Sequence, residues 1–241
     1  MEYVGTNGSL FEAIIPSDMS TIARFARVAE RSGYDGLILR RESKSPGETD
    51  LHAVSTATGL TIEQGKTIVA TDRSQAGSEI ATSRDHAAVL IGEAETPLLR
   101  HFLSGQHRLD VLRMDLTDVS SISHTTIARA ADNGIFVEFD FGVLLRRTGT
   151  QRVNAIEAIQ TLHRITEHSD APYVVSATPE SHVQLRGPRE LTAVVEGIGL
   201  PGDMVTIGLQ AWGNILARTA RNRDDTFIEP GVEYYPNETD N

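Results

Sequence analysis

Short apolar runs alternate with amphipathic stretches along most of the chain, and this pattern predicts its elements. The first run, Leu10–Ile15, is typical of a strand. Four apolar residues after it recur at the spacing of one helix face: Ile22, Phe25, Ala26 and Ala29. Gly33 ends this helix, and Gly36–Arg40 is again of β type. The beginning of the chain therefore predicts a strand–helix–strand unit.

The same alternation continues through the C-terminal half. Further strand-like runs lie at Thr67–Ala70, Ala87–Ile91, Leu109–Met114, Ile135–Phe141, Tyr173–Ala177 and His182–Leu185. Helical patterns separate the later runs, at Ile122–Asn133 and Arg152–His168. About eight strands that alternate with helices predict an α/β fold whose parallel sheet closes as a (β/α)8-type barrel. A doubly wound open sheet is the alternative.

Nothing in the composition divides this chain into two folded domains. No internal repeat or low-complexity linker interrupts residues 1–223, which we expect to form a single barrel domain. Residues 224–241 contain six acidic and no basic residues and are expected to form a mobile acidic tail. Little regular structure is also expected at Glu42–Asp50 and Asp72–Arg84.

The composition excludes several classes of function. The absence of cysteine from all 241 residues excludes a disulfide scaffold, a thiolate zinc site, an iron–sulfur cluster and a cysteine nucleophile. The chain has no nucleophile elbow, no dinucleotide-binding glycine motif and no P-loop. Its apolar runs are shorter than the roughly 20 residues of a membrane helix, and its first residues lack the pattern of a signal peptide. We therefore expect a soluble, cytoplasmic protein without a membrane partner.

The charge is unevenly distributed. The chain has 22 basic and 33 acidic residues, a net charge of −11, and all its basic residues except Lys44 and Lys66 are arginines. This composition resembles that of proteins from salt-loving archaea. Residues 100–223 hold 13 basic and 13 acidic residues, so the acidic excess lies before and after them. A polyanionic partner therefore remains compatible with the arginine-rich body.

Two carboxylates in the run Ile135–Phe141 are candidates for chemistry. Glu138 and Asp140 are two residues apart and therefore face the same side of a strand. They could serve acid–base or metal chemistry, or one of them could pair with an arginine at the end of a neighbouring strand. Asp110 and Asp115 have the same two interpretations.

A free-standing metal-dependent phosphoesterase is the alternative function from another class. Such an enzyme would require scattered side chains to converge on one point: His52, His86, His107, Glu138, Asp140 and His182. The eight histidines form no HxH or HxxxH pair. We therefore expect the chain itself to hold no metal or cofactor.

The segment Ser181–Glu190 is a candidate phosphate site. We expect a strand that ends at Arg186, followed by a helix with Gly187 as N-cap and Pro188 as its first residue. Arg186 and Arg189 flank this helix N-terminus, where free N–H groups favour an anion. In the alternative, Arg186 bridges to a carboxylate in the barrel mouth and Arg189 is solvated.

A second group of arginines lies at the end of the last helical pattern. Arg218, Arg221 and Arg223 follow one another without an intervening carboxylate. They could track a phosphate backbone, or they could complement the dipole at a solvated helix end.

Three longer segments carry a more specific pattern. They are NGIFVEFDFGVLLR (133–146), APYVVSATPESHVQLRGPRELTAVVEGIGL (171–200) and LQAWGNILARTARNRDDTFIEPGV (209–232). Together they resemble the archaeal ribonuclease P protein component 3 family, and its haloarchaeal members most of all. The early segment STIARFARVAERSGYDGLILR fits the same family, so the resemblance covers most of the chain.

The resemblance implies a barrel related to those of metal-dependent phosphoesterases but without their ligand set. The DxH motif that those enzymes carry at the end of the first strand is replaced by Ala13-Ile14-Ile15. It also implies a protein subunit of the ribonucleoprotein that removes 5′ leaders from precursor tRNA. In that family the RNA subunit is catalytic and is expected to use Mg²⁺, so no catalytic residue is assigned to this chain.

The implied partners are the ribonuclease P RNA, component 2 (a small ferredoxin-like protein) and other protein subunits, with precursor tRNA as the substrate of the complex. Matching of the family's motifs indicates Arg186 and Arg189 as RNA contacts and, more loosely, Arg40, Arg113, Arg146 and Arg147. Arg218 and Arg221 complete the set of candidates.

Overall fold

A computed structural model describes residues 8–16, 19–41, 51–223, 227–229 and 232–233. Seven parallel strands form one sheet in sequential order. They are β1 (Phe11–Ile14), β2 (Gly36–Arg41), β3 (Thr61–Ala70), β4 (Val89–Ala94), β5 (Val111–Arg113), β6 (Phe136–Asp140) and β7 (Tyr173–Ser176). Sequential order in a curved parallel sheet indicates the predicted barrel and not a doubly wound sheet, whose strand order reverses.

Most of the helices cover the outside of this sheet, and the last one also packs against its inner face. They are α1 (Met19–Ser32), α2 (Leu51–Thr58), α3 (Arg73–Ser83), α4 (Pro97–Leu103), α5 (His124–Asp132), α6 (Gly142–Arg146), α7 (Gly149–His168), α8 (Pro188–Gly197) and α9 (Asp203–Asn222). Val119–Ser121 and His182–Gln184 are short 3-10 helices, and β8 (Phe227–Glu229) pairs antiparallel with β9 (Val232–Glu233). In the described part of the chain, no helix combines the length and the apolar character that crossing a membrane requires.

The barrel is nearly closed between its first and last strands. Among the described strands, β1 and β7 share no backbone ladder. The peptide N–H of Ile15 instead donates to the carbonyl oxygen of Pro179 (3.1 Å), and that of Ala177 donates to the Glu12 carboxyl (2.9 Å). Helix α9 packs against both strands at this seam. Its Gly208 lies so close to β7 that an added Cβ would be 2.5 Å from a methyl group of Val175.

The interior of the barrel is identified by a contact across it. Strands β2 and β6 are not neighbours, yet Arg40 contacts Glu138 at 2.7 Å. The strand face that carries these two side chains is therefore the inside. Apolar side chains of this face pack with α9: Phe11, Ala13, Ile38, Val89, Ile91, Val111 and Val174 contact a cluster that includes Trp212, Ile215 and Leu216. The opposite face packs against the outer helices in a second, larger core.

Two sequence predictions are wrong. His182–Leu185 is not an eighth strand, because His182–Gln184 forms a 3-10 helix, and the sheet has seven strands. Asp72–Arg84 is not irregular: it contains α3, in which the Asp72 side chain accepts a hydrogen bond from the Gln75 N–H (2.8 Å). A capped helix with buried Ala76 and Ile80 is stable here although most of its other residues are polar. The predicted helices at 122–133 and 152–168 are confirmed as α5 and α7.

Several expectations fall partly outside the described residues. These include the irregular stretch Glu42–Asp50 and most of the acidic tail at 224–241. Of the tail, only the short strands β8 and β9 are described. The division into a barrel domain and a tail remains a prediction.

Candidate functional site

Glu138 and Asp140 lie inside the barrel mouth, which is the end of the barrel where its strands end. Because successive side chains of a strand alternate in direction, both carboxyl groups of β6 project inward, as predicted. Both are buried. Glu138 accepts hydrogen bonds from Arg40 of β2 and from the Ser176 hydroxyl of β7, each at 2.7 Å. Asp140 pairs with Arg113 of β5 (3.0 Å).

Asp140 also accepts two further hydrogen bonds. The Thr178 hydroxyl and the Gly142 N–H each donate to it at 2.8 Å. Arg113 also forms an ion pair with Glu93 (2.9 Å). Burial lowers the pKa of Arg113, but the negative charges of Glu138, Asp140 and Glu93 outweigh this effect and raise it. The interpretation that a carboxylate here pairs with an arginine of a neighbouring strand end is confirmed for Asp140. Glu138 pairs most closely with Arg40 from across the barrel, and Nε of Arg113 is also 4.0 Å from its Oε2.

The pair between Arg40 and Glu138 is deeply buried and not fully hydrogen-bonded. Nε and Nη2 of Arg40 and Oε2 of Glu138 have no hydrogen-bond partner among the described residues. Charges removed from water are expensive to leave unpaired, so the loss of either partner would destabilise the barrel strongly. Because the Arg40 side chain is only 2% exposed, we assign its ion pair with Glu138 to the stability of the fold.

Convergence of metal ligands at one point is not observed. Within the described ranges, no three His, Asp or Glu side chains are grouped so that they could hold an ion. Of the six candidate ligands, only Glu138 and Asp140 are in one network, and arginines pair with both. His52 lies on α2, His86 and His107 precede β4 and β5, and His182 lies in a 3-10 helix. The observation that would favour the free-standing phosphoesterase is therefore missing.

A strained residue connects the ends of β6 and β7. Thr178 is buried and has φ of 40°, in the left-handed region that non-glycine residues rarely adopt. Arg146, at the end of α6, donates to the carbonyl oxygens of Ala177 (2.9 Å) and Thr178 (3.1 Å) and to the Thr178 hydroxyl (3.1 Å). The strain is therefore held by Arg146 on one side and Asp140 on the other. Arg147, the next residue, donates to Gln151 (3.2 Å).

Glu12 is a buried acid that the sequence analysis missed. It lies on β1 at the seam with β7, where Tyr34 Oη is 3.1 Å from its Oε2 and 2.7 Å from the carbonyl oxygen of Arg186. A tyrosine has one proton and a carbonyl only accepts, so a protonated Glu12 must donate to Tyr34 while Tyr34 donates to Arg186. Burial raises the pKa of Glu12 to about 8, against the opposing effects of its hydrogen bonds with the Ala177 N–H and the Tyr34 hydroxyl. A single acidic residue within the apolar run Leu10–Ile15 was the available signal.

The segment of Arg186 and Arg189 lies beside the end of α1. The carbonyl of Arg186 is fixed by Tyr34, and a Cβ added to Gly187 would be 3.2 Å from the carbonyl oxygen of Ser32. Ser32 and Tyr34 come just before β2, so the backbone of Arg186 lies next to the loop that leads into β2 and not inside the barrel mouth. The alternative pairing of Arg186 with Glu138 or Asp140 is therefore wrong.

The predicted helix start is confirmed. Helix α8 begins at Pro188 with Gly187 as N-cap, and the Gly187 N–H donates to the Glu190 side chain (2.9 Å). Arg186 donates from Nη1 to the carbonyl oxygens of Val183 and Leu185, both at 3.0 Å. Arg189 is exposed, and no described hydrogen bond or ion pair involves its side chain. Neither arginine has a carboxylate partner among the described ion pairs.

The arginines of α9 lie at the opposite end from the mouth, where the strands begin. Buried Asp110, just before β5, pairs with Arg84 (2.5 Å) and Arg218 (3.0 Å). Arg223 donates to the carbonyl oxygens of Arg84 (2.9 Å) and Ala87 (2.7 Å). Arg221 is exposed. Asp110 therefore has the structural role proposed for it, as the anchor of the last helix on the barrel.

The candidate arginines thus occupy three places. Arg40, Arg113, Arg146 and Arg147 lie at the mouth, Arg186 and Arg189 beside α1 and α8, and Arg218 and Arg221 at the end of α9. Carboxylates pair with Arg40, Arg113 and Arg218, whereas the described ion pairs include none of the other five.

Comparison with known proteins gives a consistent picture. A family model described as "RNase P subunit p30" matches residues 10–224. "Ribonuclease P protein component 3" of Halobacterium salinarum is 37% identical over 226 residues, which cover 93% of this chain and 97% of that relative. The protein of the same name from Haloarcula marismortui is 37% identical and covers 92% and 96%. A chain in the cryo-EM structure of archaeal ribonuclease P with mature tRNA has the same fold, with a TM-score of 0.80 at 16% identity over 95% of this chain and all of that one.

Proposed function

Since this chain belongs to the RNase P subunit p30 family, we propose that it acts as a protein subunit that supports the catalytic RNA of ribonuclease P in removing 5′ leaders from precursor tRNA. The chemistry then belongs to the holoenzyme and its RNA, with Mg²⁺ bound by the RNA. The protein contributes binding surfaces and no catalytic residue. Its cellular site is the cytoplasm, where precursor tRNA is processed.

Arg186 and Arg189 form the RNA contact that the geometry supports best. The observation that carries this assignment is that both flank the first turn of α8 without a carboxylate partner among the described ion pairs. A helix N-terminus presents N–H groups and partial positive charge, and guanidinium groups bind phosphate through two parallel hydrogen bonds. Tyr34 holds the Arg186 backbone, so the segment that carries the two arginines is positioned before RNA arrives.

The other candidate arginines divide into two roles. Arg147 and Arg221 lack a carboxylate partner among the described ion pairs, as does Arg146, and they extend the contact to further phosphates. Arg40, Arg113 and Arg218 are neutralised by buried carboxylates, and we assign them to the stability of the barrel. Only a small set of guanidinium groups then remains for RNA.

Because the chain is acidic, we expect its binding to RNA to require a partner protein. A net charge of −11 repels RNA at long range, so the isolated chain binds RNA weakly. We propose that component 2, the small ferredoxin-like subunit, supplies part of the RNA contact, and that other protein subunits complete the assembly.

Reconstituted cleavage of precursor tRNA tests the arginine assignment. We expect the double variant Arg186→Ala/Arg189→Ala to lower the cleavage rate at limiting protein roughly tenfold, because two phosphate contacts are removed. The matched control is Arg24→Ala/Arg27→Ala, which removes two exposed arginines of α1 and should change the rate less than twofold. Equal loss in both variants, with both folded, would show that the assignment is wrong. The same assay without RNA should give no cleavage by the chain alone.

A further inference from the structure

A cavity lies outside the barrel, between the end of α7, the start of β7 and the start of α9. Its volume is about 420 Å³. Phe139, Tyr173 and Met204 provide an apolar and aromatic floor. Ile207 lines the edge and is 50% exposed, so an occupant of the cavity that covers it removes apolar surface from water. The cavity is separate from the mouth and from the arginines assigned to RNA.

The rim of this cavity is acidic. Glu167, Asp170 and Asp203 line it and are exposed, and no lysine or arginine is among its lining residues. The ring nitrogen Nδ1 of His163 is 3.4 Å from the Glu167 carboxylate. Burial and then the negative charges of Asp203 and Glu167 raise the pKa of Tyr173. The rim carboxylates therefore make the electrostatic potential inside the cavity negative. The electrostatics therefore favour a cation.

The wall of the cavity contains an unsatisfied polar group. Thr166 lines the cavity and is 4% exposed, and its hydroxyl has no hydrogen-bond partner among the described residues. Buried hydroxyl groups are normally hydrogen-bonded. Because this oxygen has almost no accessible surface, it makes the wall locally polar but is not itself a contact for an occupant.

We propose that this cavity receives a lysine or arginine side chain, with an adjacent apolar residue, from another protein subunit of the ribonucleoprotein. The aliphatic stem packs on Phe139 and Met204, and the cationic head group reaches the rim carboxylates. The apolar neighbour covers Ile207. This proposal rests on the proposed function, because the partner that supplies the basic side chain is a subunit of ribonuclease P.

Charge decides between the possible occupants. RNA would place phosphates next to Glu167, Asp170 and Asp203, which costs free energy through like-charge repulsion. The segment 224–241 of this chain has six acidic and no basic residues, so it is repelled as well. A basic protein segment is the occupant that satisfies both the rim and the floor.

Methyl NMR of the full chain tests this proposal directly. The methyl signals of Met204 and Ile207 are followed while each purified protein subunit of the cognate ribonuclease P, the ribonuclease P RNA alone, or spermidine is added. We expect one protein subunit to shift both signals, whereas RNA alone leaves them unchanged. Shifts caused by RNA alone, shifts caused by spermidine but by no protein subunit, or no shift with any subunit would each overturn the proposal.

Binding measurements with a matched variant complete the test. Asp170→Asn/Asp203→Asn should weaken binding of that subunit roughly tenfold at low salt. Asp132→Asn/Glu157→Gln, which neutralises two exposed carboxylates that do not line the cavity, should leave it unchanged. Equal weakening in both variants would contradict the proposal, and thermal unfolding confirms that both are folded. If wild-type protein stimulates cleavage but the cavity variant binds normally, only this inference fails; if wild-type protein gives no stimulation, the proposed function fails.

Discussion

Several buried charged side chains of this barrel are held by partners from distant parts of the chain. Arg40 and Glu138 meet across the barrel, and Asp110 joins Arg84 and Arg218 at its other end. Glu12 differs from these, because its partners are the neutral groups of Ala177 and Tyr34. An acid without a cation in a dry environment keeps its proton. Glu12 therefore joins β1 to β7 as a neutral hydrogen-bonding group.

Glu12→Gln should change how stability depends on pH. The folded protein holds the Glu12 proton up to a pKa of about 8, whereas the unfolded chain loses it near 4.5, so unfolding releases a proton between these values. This group therefore lowers the free energy of unfolding by up to about 1.4 kcal/mol for each pH unit of rise in that window, and no further above it. Glutamine makes the same contacts without ionising.

Urea unfolding at pH 5, 6, 7 and 8 and constant salt measures this effect. The stability of Glu12→Gln relative to wild type should increase steadily from pH 5 to pH 8. Glu157→Gln, at an exposed position of α7, should give curves parallel to wild type. Parallel curves for Glu12→Gln would show that the buried acid is not protonated.

Among the elements, α9 is the one that completes the barrel. It covers the seam between β1 and β7, Trp212 donates from its indole N–H to the carbonyl oxygen of Val175 (2.8 Å), and Arg218 is anchored on Asp110. The close approach of α9 to β7 depends on Gly208, which has no side chain to separate them. Local preference would favour alanine in a helix, so tertiary packing determines this residue.

Two alanine substitutions for glycine in helices should have opposite effects. Gly208→Ala places a Cβ 2.5 Å from a methyl group and 2.7 Å from the backbone nitrogen of Val175, and should destabilise the protein by about 1–3 kcal/mol. Gly77→Ala in α3 meets no atom within 4 Å and should stabilise it by up to about 1 kcal/mol. Thermal and urea unfolding of both variants check the signs. A stabilising Gly208→Ala would mean that α9 packs less tightly on β7 than described.

For the whole molecule, the distribution of charge limits how RNA can be bound. Carboxylates neutralise Arg40, Arg113 and Arg218, so the arginines that we propose for phosphate binding are few and lie at separate places on the surface. Each phosphate contact releases counterions, and the loss of affinity with salt grows with the number of contacts. A subunit that uses few contacts and a protein partner remains bound in concentrated salt.

The salt dependence of RNA affinity should reveal how many phosphate contacts these arginines make. RNA affinity is measured for the assembled protein subunits and plotted as its logarithm against the logarithm of the salt concentration. In Arg186→Ala/Arg189→Ala the slope should become less steep by roughly 1–2, because each lost phosphate contact removes about 0.7–0.9 from it. Titration of labelled RNA at several salt concentrations measures it. The slope of Arg24→Ala/Arg27→Ala should equal that of wild type. An unchanged slope in the first variant would place the RNA elsewhere.

What the sequence determined by itself follows from local rules. Apolar periodicity predicted the parallel barrel, the helices α1, α5 and α7, and the common inward face of Glu138 and Asp140, because strand and helix geometry repeat over a few residues. The glycine and proline before Arg189 predicted the start of α8 for the same reason.

Only the tertiary structure decided which distant groups meet. The apolar run at 182–185 became a 3-10 helix, because β7 is followed by a segment that packs on α1 and not by another sheet strand. The choice of Arg40 as the partner of Glu138, the protonation of Glu12 and the acidic cavity beside α9 depend on contacts between residues far apart in the chain. The choice of charge partners and the protonation of a buried acid arise from packing between distant segments, and a local pattern in the sequence does not specify them.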